Sequence, residues 1–286
     1  MSWRRQLVVN ADDFGFTPDV NSGIVEAHRR GILTATTLMA NGDAFDDAVR
    51  LARETPSLDM GCHLVLIGGR SLTSGKPLPA TVAQLMLALI RREIPLYDEL
   101  AAQVRRIVAA GIRPTHVDTH KHTHMAPPVL ETVARVAREF GIPWVRCPFD
   151  FLGKLGTVTN YPISENRVIG YCPQFRKRGV SRALGLMRGR MRRVLAAQGC
   201  RTTDHFAGFQ ITGRVDCDAL ASLAAALPEG VTELMCHPGH CGDALRRAPT
   251  RLKESREREL QALVAPETRQ ALERHNIELV NYAQLG

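Results

Sequence analysis

Short apolar runs alternate with amphipathic stretches along most of the chain. The runs at residues 7–9, 33–39 and 58–66 are too short for helices and are bounded by polar residues, which is typical of buried parallel strands. Helical periodicity lies between and after them, at residues 20–30, 44–54, 81–93, 98–110 and 218–227. Repeated strand–helix units predict an α/β fold whose parallel sheet is closed, or nearly closed, into a barrel.

This rhythm is interrupted at residues 149–203, which are rich in Gly, Pro, Asn and Arg and are predicted to be an insertion on the face of the barrel. A strand at residues 203–211 resumes the pattern, and residues 277–280 are the last strand expected. Residues 251–263 mix charges of both signs, so we predict a helix with a solvated face. No internal repeat is visible, and residues 1–286 are expected to form a single barrel domain.

The composition indicates a soluble globular protein. With 286 residues and 44% hydrophobic content, the chain can bury a large core. The sequence starts with no hydrophobic signal region, and no apolar run approaches the roughly 20 residues that span a bilayer. The seven cysteines include no Cys-x-x-Cys pair, which fits a reducing compartment. We therefore expect a cytoplasmic protein.

Four predicted strands end in Asp or His. Asp12 and Asp13 follow the first run within Asn-Ala-Asp-Asp-Phe-Gly, His63 ends the run at 58–66, and His237 ends a run that begins near residue 231. The fourth end carries a dense polar set: His116, Asp118, His120, His122 and His124. Because the carboxyl ends of parallel strands meet at one end of such a sheet, the sequence predicts one shared, metal-centred site.

The side-chain types narrow the choice of metal. Imidazole with carboxylate suits zinc and other first-row divalent ions, whereas ligand sets made only of oxygen suit magnesium or calcium. One Asp and two His would leave positions open for water and substrate, as a catalytic site requires. Residues 236–241 look like half of a structural zinc knuckle, but the second half is missing. We predict one divalent ion, zinc or magnesium.

The net charge of +8 is concentrated in one segment. Residues 176–193 contain no acid and eight basic residues: Arg176, Lys177, Arg178, Arg182, Arg188, Arg190, Arg192 and Arg193. Interleaved leucines and methionines indicate a basic amphipathic helix. It is either a solvated face packed on the domain, or a lid or anchor for anionic lipid headgroups or a phosphorylated substrate. Nucleic-acid binding is not expected, because no aromatic residues interleave and no binding module is recognisable.

The four strand-end motifs together resemble the YdjC-like carbohydrate deacetylases. The resemblance rests on Asn-Ala-Asp-Asp-Phe-Gly at residue 10, Gly-Cys-His-Leu at residue 61, Thr-His-Val-Asp-Thr-His-Lys-His-Thr-His at residue 115 and Met-Cys-His-Pro at residue 235. It covers nearly the whole chain in the right order. It implies a distorted (β/α) barrel of the TIM type, a divalent metal, homodimeric assembly and removal of acetyl from an N-acetylated sugar.

The resemblance also implies residue roles. Asp13, His63 and His120 would hold the metal, and Asp12 would be the catalytic carboxylate. Neighbouring side chains on an extended chain point to opposite sides, which likewise predicts different roles for Asp12 and Asp13. The metal would acidify water and polarise the carbonyl oxygen, and Asp12 would accept the proton of the water.

His237 is the candidate general acid for the sugar amine, and the alternative is a helix cap or a hydrogen-bonded core histidine.

The histidine-rich strand end leaves several assignments open. If His120 is a ligand, either Asp118 or His116 is expected to orient it. His124 would line the sugar pocket or serve as a ligand, because His120 and His124 have the H-x-x-x-H spacing used by other metal-dependent deacetylases. We favour His63 as the second imidazole because it ends its own strand. Of His122 and His124, at least one is expected to be a surface residue.

Two other functions compete with sugar deacetylation. A metal-dependent phosphoesterase would use similar residues, but it commonly needs two metals and more carboxylates than this chain offers. A metal-stabilised glycolipid-binding protein would need a closed site without exchangeable water. Soluble chitooligosaccharide, lipid-linked N-acetylglucosamine and a hopanoid glycoside are all compatible with the sequence as substrates.

Overall fold

The computed structural model describes residues 4–151 and 174–285. Within these ranges the strands are β1 (Arg5–Phe14), β2 (Ala35–Leu38), β3 (Asp59–Leu64), β4 (His116–Thr119), β5 (Trp144–Val145), β6 (His205–Ala207), β7 (Gly230–Cys236) and β8 (Ile277–Leu279). The helices are α1 (Pro18–Arg30), α2 (Phe45–Arg53), α3 (Val82–Ile90), α4 (Leu96–Ala109), α5 (Pro127–Glu139), α6 (Gln174–Ala197), α7 (Cys217–Ala226), α8 (Asp243–Arg247), α9 (Glu254–Val264) and α10 (Pro266–Arg274). Short 3₁₀ helices lie at His120–Met125 and Ala283–Leu285.

All the strand pairings are parallel, and the sheet order is β5-β4-β3-β2-β1-β7-β6. β1 lies between β2 and β7, and β8 pairs with the first residues of β1, before the part that pairs with β2. Isolated parallel bridges at Trp144–Arg201 and Asp150–Phe206 connect the two ends of the sheet. The sheet therefore curls into a distorted (β/α) barrel, and the predicted fold class is confirmed.

The hydrophobic core explains the placement of the elements. Leu7, Val8 and Val9 in β1 are almost completely buried, because β1 has neighbours on both sides and a helical layer outside. The helices cover the sheet with one apolar face each; α5, for example, buries Val129 and Val133. Within the described residues, no helix is long and apolar enough to cross a membrane.

The predicted insertion lies between β5 and β6 and contains α6. The later part of α6 packs like a barrel helix, with Met191 and Leu195 in the main hydrophobic cluster. The side chains of Arg176, Lys177, Arg178 and Arg182 lie outside the described residues.

The described arginines of α6 contact the barrel. Arg188 and Arg192 each donate a hydrogen bond to the carbonyl of Asp204, both at 2.7 Å. Arg190 lies 3.7 Å from Glu131 of α5. Arg188 and Arg192 therefore fasten the helix to the chain just before β6.

Candidate metal centre and active site

Asp13, His63 and His120 meet at the carboxyl ends of β1, β3 and β4. Oδ1 of Asp13 lies 3.3 Å from Nε2 of His63 and 3.2 Å from Nδ1 of His120. The two imidazole nitrogens are 3.2 Å apart. Three metal-ligating atoms thus converge, all within 4.8 Å of one another. The structure brings together the three residues for which the sequence motifs imply metal binding.

An irregularity in β1 places both of its aspartates in this site. Asp13 has a φ of 70°, and the pairing register with β2 shifts between Ala11 and Phe14. The left-handed region is uncommon for residues other than glycine, although aspartate tolerates it better than most. As a result Asp13 departs from the extended backbone on which the expected alternation rests. Asp12 and Asp13 are both 3% exposed, and each has a carboxylate oxygen within 4.8 Å of a ring nitrogen of His63.

Contacts at Nδ1 fix the orientation of the His63 ring. Its Nδ1 lies 2.6 Å from Oδ1 of Asp118 and 3.2 Å from the hydroxyl of Thr37. A carboxylate at Nδ1 leaves Nε2 directed at Asp13 and His120, which is the usual arrangement around a ligating histidine. Asp118 therefore orients His63, and the expectation that it orients His120 is wrong.

Electrostatics around His63 favour a positive charge. Burial lowers the pKa of His63, but the charge and hydrogen bond of Asp118, together with Asp13 and Asp12, outweigh this and raise it to about 10. Metal binding requires a neutral imidazole, so a divalent ion competes with a proton for this nitrogen. The surroundings of His63 therefore favour a positive charge at this nitrogen, whether it is carried by a proton or by a metal ion.

The remaining histidines of the β4 end have other partners. The two ring nitrogens of His116 contact Asn10 and Thr115, both at 2.8 Å, so it does not orient His120. Those of His124 contact Thr119 at 2.6 Å and the carbonyl of Arg146 at 3.0 Å. His124 has no free nitrogen for a metal, so the geometry disfavours the His120/His124 alternative.

His122 follows the candidate ligand His120 in a strained turn. It has a φ of 51°, and its Nδ1 is buried without a hydrogen-bond partner. His122 and His124 are 8% and 0% exposed, so the expectation that one of them is a surface residue is wrong.

Arg146, which sequence reasoning missed, organises the carboxylates beside the cluster. Its guanidinium donates to both oxygens of Asp12 at 2.7 and 2.6 Å. It also contacts Asp118 at 2.6 Å and Glu233 at 2.7 Å. Burial raises the pKa of Asp12, but the charge and hydrogen bonds of Arg146 outweigh it and hold that pKa well below its usual range. Asp12 is therefore ionised at neutral pH.

Two sets of side chains in this region could hold a metal ion, and the charges around them differ. A second set of atoms, from Asp12, His63 and Asp118, is also compact, but the guanidinium of Arg146 already supplies its positive charge. In the first set, the guanidinium of Arg256 contacts Oδ2 of Asp13, and the buried Oδ1 faces the ring nitrogens of His63 and His120 at 3.3 and 3.2 Å. An anionic oxygen buried in this way is costly unless a cation compensates it. The Asp13, His63 and His120 set therefore fits a divalent ion, and its mixed ligands suit a first-row metal.

The helix α9 supports the site from the side. Arg256 donates to Oδ2 of Asp13 at 2.5 Å, and Glu259 accepts a hydrogen bond from the backbone N–H of His237 at 2.6 Å. Both α9 side chains are 1% exposed. The prediction of a merely solvated helix is therefore wrong for this face.

His237 lies on the far side of Asp12. Its Nε2 is 3.9 Å from Oδ2 of Asp12, and the residue is 9% exposed. Burial lowers the pKa of His237 to about 4, despite the opposing charge of Asp12. The neutral ring faces the same space as Asp12, which suits a group that receives a proton only transiently. Its backbone contact with Glu259 fixes its position.

Substitution of Arg256 tests how the candidate ligand Asp13 is held. Arg256→Met leaves the buried Asp13 carboxylate without its guanidinium, and we expect the metal-free protein to lose about 3–5 kcal/mol of unfolding free energy. Arg258→Met, at an exposed position of the same helix, should change it by less than about 0.5 kcal/mol. Urea denaturation of the metal-stripped variants measures both. If both variants changed the unfolding free energy equally, the ion pair between Arg256 and Asp13 would contribute nothing to stability.

The fold and the cluster define a class: a distorted (β/α) barrel with an Asp/His cluster at the carboxyl ends of its strands that could hold a metal ion. The sequence profile of the YdjC-like protein family matches residues 6–274, and the chain belongs to that family. A carbohydrate deacetylase of Brevibacillus brevis is 34% identical over 288 residues, spanning 98% of this chain and all of the relative. A crystal structure from Enterococcus faecalis V583, provisionally assigned to cellobiose-phosphate cleavage, superposes with a TM-score of 0.73 at 25% identity, covering 99% of both chains.

Proposed function

We propose that the protein is a metal-dependent hydrolase that removes the acetyl group from an N-acetylated sugar. The convergence of Asp13, His63 and His120 beside the ionised Asp12 carries this proposal. The relative from Brevibacillus brevis, named a carbohydrate deacetylase, supports the choice of substrate class.

Asp13, His63 and His120 would hold one divalent ion, zinc or magnesium. When bound, such an ion polarises a carbonyl oxygen and lowers the pKa of water. Two imidazoles and one carboxylate leave coordination positions open, as hydrolysis requires. Arg256 limits the freedom of Asp13, since it occupies the second oxygen of that carboxylate.

Asp12 is the proposed general base. Its fixed pairing with Arg146 keeps the carboxylate ionised and prevents rotation. A carboxylate with a low pKa is a weak base, so it accepts a proton only from water that is already acidified. Because Arg146 is shared with Asp118, the orientation of the base is coupled to that of His63.

His237 is the proposed general acid for the departing amine. With Nε2 3.9 Å from Asp12, it lies close enough to the base for a proton to pass through one water. A low pKa makes the protonated imidazole a strong donor, and the nearby Asp12 offsets its charge. The leaving sugar amine would therefore depart as a neutral group.

A phosphoesterase is less well supported by the geometry. Two-metal phosphoesterases hold their ions about 3.5–4 Å apart, which requires a second cation site. In this chain the adjacent carboxylates Asp12 and Asp118 are neutralised by Arg146 instead. A metal-stabilised glycolipid-binding protein would not need a buried ionised carboxylate beside the metal ligands.

Product analysis tests the proposed reaction. Incubation of the metal-loaded protein with an N-acetylglucosamine oligosaccharide should yield acetate and free amine in equal amounts, without cleavage of glycosidic bonds. A lipid-linked N-acetylglucosamine is the second substrate to be compared, because the sequence allows both. Release of phosphate from a sugar phosphate, with no acetate from either N-acetylated substrate, would favour the phosphoesterase. Homodimeric assembly and a cytoplasmic location remain predictions.

A further inference from the structure

The helix α3 exposes an apolar stripe. Val82, Met86 and Ile90 follow one another at intervals of four residues and are 53%, 39% and 76% exposed, and the adjacent Leu87 is 45% exposed. The buried side of the helix includes Leu85, which is 1% exposed and belongs to the main hydrophobic cluster. A surface helix normally presents polar residues to solvent, so an apolar outer face indicates a contact surface.

The helix is anchored at its start. The hydroxyl of Thr81 accepts a hydrogen bond from the backbone N–H of Gln84, and the side chain of Gln84 accepts one from Ala80. These contacts satisfy backbone donors at the first turn. Together with the buried Leu85, they fix which side of the helix faces outward.

The stripe belongs to the end of the barrel that contains the candidate metal centre. β3 ends at Leu64, one residue after His63, and the chain reaches α3 through residues 65–81. Leu78 in this connection packs with Met39, which follows β2, and with Val65, which follows β3. The whole connection therefore lies beyond the carboxyl ends of β2 and β3.

Basic residues precede and follow the stripe in the sequence. Residues 68–93 contain Arg70, Lys76, Arg91 and Arg92 and a single acid, Glu93. All five are exposed, and Glu93 lies 3.7 Å from Arg91. The excess of positive charge is therefore available to an external anionic partner.

We propose that α3 docks the protein on an anionic lipid surface, with the metal-centre end of the barrel facing the membrane. An apolar face with a basic border is the pattern of helices that lie in the bilayer interface. Anionic headgroups would attract Arg91 and Arg92 while the stripe enters the acyl boundary. A second copy is a poorer occupant, because a two-fold interface would bring the basic residues of one copy close to the same residues of the other.

The element expected to meet a membrane is therefore α3 and not the basic helix α6. Arg188 and Arg192 of α6 are held by backbone carbonyls, whereas the side chains bordering α3 face solvent. Docking through α3 does not depend on the proposed deacetylation, because lipid binding is measured without substrate.

Vesicle sedimentation tests the proposal with the full chain. We expect the protein to bind vesicles of equimolar phosphatidylcholine and phosphatidylglycerol, and to bind pure phosphatidylcholine far less. The double variant Met86→Glu, Ile90→Glu should bind the anionic vesicles at least about tenfold more weakly, since it places charge in the apolar stripe. Val108→Glu is the matched control, because Val108 is 44% exposed on α4 near the opposite end of the barrel, and its binding should be unchanged.

A charge variant and the oligomeric state complete the test. Arg91→Gln with Arg92→Gln should weaken binding to anionic vesicles, while the rate of acetate release from a soluble substrate is unchanged. Failure of the wild type to bind anionic vesicles would overturn the proposal, as would equal weakening by Val108→Glu. Conversion of a dimer to a monomer by Met86→Glu, Ile90→Glu would also overturn it, because a second copy would then cover the stripe.

Discussion

Asp12→Asn should abolish turnover while the protein keeps its metal. The variant removes the proposed base but none of the ligating atoms of Asp13, His63 and His120. Loss of a general base typically costs about 10²–10⁴-fold in rate. The ion pairs around Arg146 should tolerate the change, because Arg146 keeps its contacts with Asp118 and Glu233.

Two measurements on the same preparation check this result. The rate of acetate release should fall by at least about a hundredfold, and the metal content should equal that of the wild type. If Asp12→Asn retains more than a few per cent of the rate, Asp12 is not the base. Loss of metal in this variant would instead assign Asp12 to the ligand set.

His63→Ala should remove metal and activity together. Its Nε2 is one of only three converging ligand atoms in the described cluster, so two protein ligands remain after the substitution. We expect the metal affinity to fall by more than the 10–100-fold typical of residues that merely orient a ligand. Equilibrium dialysis and acetate release measure the two losses.

His124→Gln provides the matched control for His63→Ala. Both ring nitrogens of His124 are engaged by Thr119 and by the carbonyl of Arg146, away from the cluster. The variant should keep its metal, with any loss confined to stability. If instead His124→Gln loses the metal and His63→Ala retains it, the ligand pair is His120 with His124.

The parts of the site that could be predicted are those with a local signal. Each of Asp13, His63 and His237 follows a short apolar run, and the carboxyl ends of parallel strands meet by construction. Proximity of these residues is therefore a consequence of the strand pattern. The direction of each side chain was not predictable in the same way, because the φ of 70° at Asp13 departs from the extended backbone on which alternation rests.

The charged residues that support the site carry no comparable signal. Arg146 and Arg256 are paired with carboxylates 134 and 243 positions away in sequence, so their burial depends on the complete fold. A charged residue is usually exposed, which is why a mixed-charge helix was expected to be solvated. One clue was available in α9: Arg256 and Glu259 share a helical face with the buried Leu260 and Leu263.

Acetate release by metal-stripped protein, measured as a single metal is restored, tests the proposed metal-dependent deacetylation most directly. We expect no acetate without metal, and a rate that rises with added zinc or magnesium until one ion is bound per chain. Asp13, His63 and His120 offer one such site. Full activity in the stripped protein, or a rate that requires a second ion per chain, would contradict metal-dependent deacetylation at this site.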